Sequence, residues 1–250
     1  MTTDAVQKID QFTTIPEGWP VIAPEVLEAA TAVALEALSV EGGRPAHVRL
    51  ARYYDRERKY AGATFTDLPN IADDVTADDL LAVSLLSVRI SPLDVRRLVE
   101  PSPERSAVLA SLRALPDVGL TVADADTLTA MAVFYEDVKG ALKDPWAKNS
   151  DRWVTASKLC ARKRPDLFPV RDRKVRDLLG LTRFADYRVD WQVLRHLAQS
   201  DEVRQAIFKA LRQMPNAETV KVESSLLRVL DVGLWTHAIG MDPQNLSDDE

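Results

Sequence analysis

A chain of 250 residues, 46% hydrophobic and 28% charged, can bury an ample core as one large domain or two small ones. Its single cysteine, Cys160, excludes a disulfide framework and any four-cysteine metal or iron–sulfur site. A formal charge of −6 argues against a wholesale nucleic-acid coat protein, and no apolar run reaches the ~18–20 residues of a membrane span.

The opening MTTDAVQKIDQFTT lacks the basic start and apolar centre of a signal peptide, so a cytoplasmic protein is expected. Residues 1–22 are polar, contain Pro16 and Pro20, and read as a loosely ordered lead-in. Pro24 then starts a helix through Leu38 that Gly42 and Gly43 end. From His47 to Leu68, charge and aromatics alternate without a clean period, which leaves a strand pair or an irregular segment. Thr76, with Asp78 and Asp79 after it, opens the apolar helix ADDLLAVSLLSV with a cap hydroxyl and acids at its positive end. Pro92 begins a helix through Val99, and residues 104–115 form another, closed by Leu115-Pro-Asp-Val-Gly119.

Ala125–Leu142 is a long helix, followed by shorter ones at Trp153–Ala161 and Arg173–Leu179, the second capped by Asp172 and stopped by Gly180. Asp190–His196, Asp201–Met214 and Val222–Ile239 supply three more, and residues 241–250 form an acidic tail expected to be disordered. The expected fold class is all-α, with room for a small β element near 47–66. Residues 23–240 read as a single domain, and the two prolines flanking Ser102 mark the one internal break, near 100–105.

Charge is segregated. Between Lys158 and Arg176 lie eight basic residues and two acids, a net +6, so the remainder carries −12. Arg152, Arg162, Lys163, Arg164, Arg171, Arg173 and Lys174 read as a polyanion-binding surface, with Trp153 beside them to stack on a base. Asp172 sits alone in the middle of this run. A carboxylate among cations favours its charged form, which suits it to stabilise a developing cation or orient water. Asp is equally a favoured N-cap, and Asp172 stands where the following helix needs one. The three histidines, His47, His196 and His237, lie in unrelated segments without metal-ligand spacing, so neither metal nor cofactor is expected. Tyr53, Tyr54, Arg56, Arg58, Lys59 and Tyr60 form a second aromatic-basic cluster, diluted by Asp55 and Glu57.

Thr155-Ala156 and the run Phe168-Pro-Val-Arg-Asp172-Arg-Lys-Val175 resemble the helix-hairpin-helix DNA glycosylases. That superfamily carries Thr-Ala at the start of the helix after its hairpin and an essential Asp in a Pro-Val-Asp-Thr-His-Val-like turn. The interval of 17 residues from Thr155 to Asp172 is similar to the family's. SKLCARKRPDLFPVRD further resembles a group of actinobacterial proteins related to the 8-oxoguanine glycosylase fold. The resemblance implies a helical fold, a nucleic-acid partner, no cofactor, and Asp172 as the catalytic carboxylate that stabilises the sugar cation or positions water. Departures accompany it. Ser150–Val154 lacks both hairpin glycines, Asp151 brings the wrong sign to a phosphate, and Val154 stands where bifunctional members place their Schiff-base lysine. A covalent lyase route is therefore not implied, although Lys158, one turn later on the same face, can present an amine nearby. Two functions follow: a monofunctional DNA glycosylase acting through Asp172, or a non-catalytic protein that binds nucleic acid or another anion on a degenerate glycosylase fold.

Overall fold

The computed structural model describes residues 15–146, 151–215 and 220–241, and among them it is wholly helical. The order is α1 (Pro24–Ala37), α2 (Ala46–Tyr54), α3 (Gly62–Asp67), α4 (Ala77–Ser84), α5 (Pro92–Leu98), α6 (Pro103–Ala114), a 3₁₀ turn (Leu120–Val122) and α7 (Ala125–Ala141). After it come α8 (Trp153–Lys163), α9 (Arg173–Leu178), α10 (Tyr187–Gln199), α11 (Asp201–Arg212) and α12 (Leu226–Ala238). Residues 1–14 of the lead-in expected over 1–22, and the tail after Met241, lie outside the described residues; Ile22 and Met241 are buried.

Local chemistry sets most boundaries. Pro24, Pro92 and Pro103 occupy first-turn positions, where a missing N–H costs nothing. Thr76 and Asp79 form a capping box on α4, and Ser91 and Asp94 form one on α5. The small β element near 47–66 is replaced by α2 and α3. Its helical period was masked by Arg49, which is buried rather than solvated. The Arg49 guanidinium donates to the Arg44 carbonyl (2.9 Å), the Gly233 carbonyl (3.0 Å), Thr236 Oγ1 (2.6 Å) and the Ala37 carbonyl. Burial, with Arg44 nearby, pushes its pKa down to about 10. Counted as an inward residue, Arg49 joins Ala46, Leu50 and Tyr53 on one helical face.

Two apolar cores divide the chain. The first joins α1 and α2 to α9–α12, through residues such as Ala30, Leu50, Val193, Ile207 and Leu230. The second is built by the chain between Val75 and Val170, and takes in Trp191 of α10 and Leu227 of α12. The turn at residues 100–105 lies within this second core, between its members Leu98 and Val108, and Ser102 there caps α6. The chain instead passes between the cores after α3 and again between Val170 and Val175. Asp172 lies on that second crossing.

Candidate functional site

A cleft of about 710 Å³ receives residues from both sides of the crossing, a size within the ~300–1,000 Å³ usual for small-ligand sites. Asp172 is in it. One carboxylate oxygen, Oδ1, accepts from the Lys174 N–H (2.9 Å) and so caps α9. The other, Oδ2, lies 3.4 Å from Lys158 Nζ, which also donates to the Leu86 carbonyl (2.7 Å). Capping and exposure to the cleft therefore coexist, because the two oxygens point to different partners. Lys158 reaches the acid from α8 as the one-turn spacing allows. Ser87, lining the cleft beside Leu86, has φ of 59°, the left-handed region that L side chains avoid, and this turn closes one wall.

Part of the lining is aromatic. Tyr53 of α2, Tyr60 and Trp235 of α12 all line the cleft, with ring centroids 5.9–6.4 Å apart. Such spacing is that of packed aromatic pairs. At the mouth, Arg173 and Lys174 are exposed.

The remaining basic residues are engaged inside the molecule, which corrects their reading as a phosphate-binding surface. Arg162 is 5% exposed and donates to Asp79 Oδ1 (3.3 Å) and to the carbonyls of Phe65, Leu68 and Pro69. Lys163 is 2% exposed; its ammonium donates to Asp79 Oδ2 (2.8 Å), Asn70 Oδ1 (2.6 Å) and the Ile71 carbonyl (2.8 Å). Burial lowers the Lys163 pKa and Asp79 acts against that shift. Arg164 donates to the Ala72 carbonyl (2.5 Å). Arg171 is held by Asp190 Oδ2 (2.6 Å) and the Tyr135 hydroxyl (2.6 Å). Arg152 pairs with Asp94 (3.0 Å). Trp153 stacks on cations of its own chain, the Arg171 and Arg176 guanidiniums standing 4.8 and 5.3 Å from its ring centroid. In each case a carboxylate or a set of carbonyls brought in by the fold satisfies the cation, which is how a buried charge is tolerated.

Asp151 pairs with Lys139 (3.3 Å), and Ser150 of the degenerate hairpin lies outside the described residues. Cys160 is buried and its thiol pKa is pushed up by burial, in keeping with packing. His47, His196 and His237 have pKa values lowered by burial. Among the described residues no group of three or more His, Cys, Asp or Glu is placed to hold a metal ion, and no helix is long and apolar enough to cross a membrane.

Sequence reasoning missed one part of the cleft altogether. Arg228 and Asp231, three residues apart on α12, meet at 2.7 Å, and both line the cleft. Arg228 also faces Glu223 (3.4 Å), whose Oε2 accepts from the Tyr54 hydroxyl (3.0 Å). Burial opposes the Arg228 cation, but Glu223 and Asp231 outweigh it and hold its pKa above the ordinary arginine value. Burial pushes the Asp231 carboxyl up to about 7, with Arg228 working against it and Asp172 adding to it. The available signal was an isolated i,i+3 charge pair inside the apolar run SLLRVLDVGLW.

Searches of curated proteins and of solved structures find no match to this chain. A family profile matches residues 46–238, which spans α2 through α12 and every cleft residue named above: the chain belongs to DUF6308, a family of unknown function.

Proposed function

We propose that the chain is a DNA glycosylase-like hydrolase that cleaves an N-glycosidic bond, with Asp172 facing the sugar. One observation carries the reading: the Asp172 carboxylate stands in a cleft between two helical cores that Tyr53, Tyr60 and Trp235 also line. An aromatic wall accepts the face of any base, and a carboxylate beside it stabilises the positive charge that grows on the sugar as the bond breaks. Lys158 is a positioning residue in this scheme. Its ammonium holds Asp172 Oδ2 while the Leu86 carbonyl holds the ammonium. The base would be extruded from its stack to enter the cleft, and Arg173 and Lys174 at the mouth would meet flanking phosphates.

The reading is tested by single-turnover release from a panel of duplex oligonucleotides carrying damaged or modified bases. Wild type releases at least one base, and Asp172→Asn lowers that rate by ~10²-fold or more while duplex binding is kept. Equal, negligible release by both proteins, with salt-sensitive binding retained, would instead favour the non-catalytic reading, in which Asp172 only caps α9.

A further inference from the structure

Among the buried charges at and behind the cleft there is more acid than base, the cations Lys59, Arg173 and Lys174 of its lining being exposed. Three carboxyls, Asp172, Glu223 and Asp231, face two cations, Lys158 and Arg228. Each carboxyl side chain is at most 15% exposed, so water does little to screen the surplus negative charge. Such a cluster lowers its energy by retaining one proton. Asp172 is served by the Lys174 N–H and by Lys158; Glu223 receives the Tyr54 hydroxyl and Arg228. Asp231 shares Arg228 with Glu223 and has Asp172 as a charged neighbour. The other groups around it are Tyr53 from α2, Lys59 from the segment after α2, and Arg173 and Lys174 at the start of α9, all lining the same cleft.

We propose that Asp231 is the general acid of this cleft and that the leaving base is a purine. This rests on the glycosylase reading above and adds a second catalytic residue and a substrate class to it. Two carboxyls whose surroundings drive their protonation apart are the usual arrangement for dividing acid and electrostatic roles. Here the proton-retaining carboxyl lies on α12, sharing Arg228 with Glu223, and the carboxyl ion-paired with Lys158 alone among the described residues lies at the start of α9, on one cleft. In the reaction the C1′–N9 bond breaks and its electron pair passes to the base. The Asp231 proton goes to a ring nitrogen of the base, the Asp172 carboxylate faces the sugar cation, and water adds to C1′. The proton lost by that water returns to solvent, from which Asp231 is reloaded. Purines present ring nitrogens away from the glycosidic bond that can accept such a proton, whereas uracil- and thymine-type bases carry N3–H and offer only weakly basic carbonyl oxygens.

The test is single-turnover base release between pH 5 and 9 from duplexes carrying 8-oxoguanine, hypoxanthine or 1,N6-ethenoadenine, against duplexes carrying uracil or 5-hydroxyuracil. Wild type is expected to release from the purine set only, with a rate that falls above about pH 7, where Asp231 loses its proton. Asp231→Asn should lose this limb and at least ~10²-fold in rate, whereas Asp231→Glu should retain part of it. Carbon-13 titration of the wild-type carboxyls reads the same proton without a variant and should show one group titrating near 7. Release that needs Asp172 but is flat from pH 6 to 9, survives Asp231→Asn in a folded protein, or favours pyrimidines overturns this inference and leaves the glycosylase reading standing. A wild-type titration with every carboxyl below pH 5 also overturns it alone. No release by wild type from either set overturns both.

Discussion

Asp79 is the residue on which the buried charge of the KRP segment depends. At 0% exposure it accepts from Arg162 and Lys163 of α8 while closing the α4 capping box through the Thr76 N–H (3.0 Å). Its removal would leave two interior cations without the carboxylate they share, a far larger penalty than the pair's net worth when intact. Asp79→Ala is expected to cost about 3–5 kcal/mol, read as a lower urea midpoint at unchanged slope. Asp79→Asn should fall between the two, since it keeps an acceptor and loses the charge. A loss below ~1 kcal/mol would show that the carbonyls of Phe65, Leu68, Pro69 and Ile71 suffice.

At the scale of elements, the helices with local start signals were legible: prolines at first turns, Thr76 and Ser91 in capping boxes, Asp124 accepting from the Thr127 N–H on α7. Those signals act within four residues, so they survive in the bare sequence. The helices α2 and α3 were not legible, because Arg49 and Arg52 are buried polar groups whose partners come from elsewhere. Their contact is tight. A Cβ on Gly62 would lie 2.6 Å from the Tyr53 carbonyl oxygen and 2.8 Å from its ring, so backbone would have to move. Gly62→Ala should therefore push α3 off α2 and displace Tyr53 from the aromatic wall, at about 1–3 kcal/mol. The paired readouts are the melting temperature and the near-ultraviolet circular dichroism of the tyrosines; an unchanged aromatic spectrum would count against the displacement.

For the whole molecule, what matters is that the middle of the chain builds one core and its two ends build the other, leaving Asp172 on a crossing between them. This arrangement consumes most of the +6 run. Charge reversal at Lys163 and Arg164 is expected to unfold the protein, since Lys163 is buried against Asp79, and not merely to weaken polyanion binding. Reversal at Arg173 and Lys174 should leave the fold intact and weaken duplex binding. With two phosphate contacts the logarithm of affinity should fall with the logarithm of salt at a slope of about −2. A slope steeper than about −5 would mean that a larger basic surface takes part.

The sequence by itself determined the helical class, ten of the helix locations to within a few residues, and the placement of Asp172 as a cap. These rest on caps, prolines and the 3.6-residue period, all local. Only the tertiary structure decided where the charges go. Arg162 and Lys163 meet Asp79 across 83 and 84 residues, and Asp231 comes to the cleft of Asp172 from a helix in another part of the chain. A cation is a surface residue or a buried one according to which oxygens the fold brings to it, and no spacing along the chain encodes that.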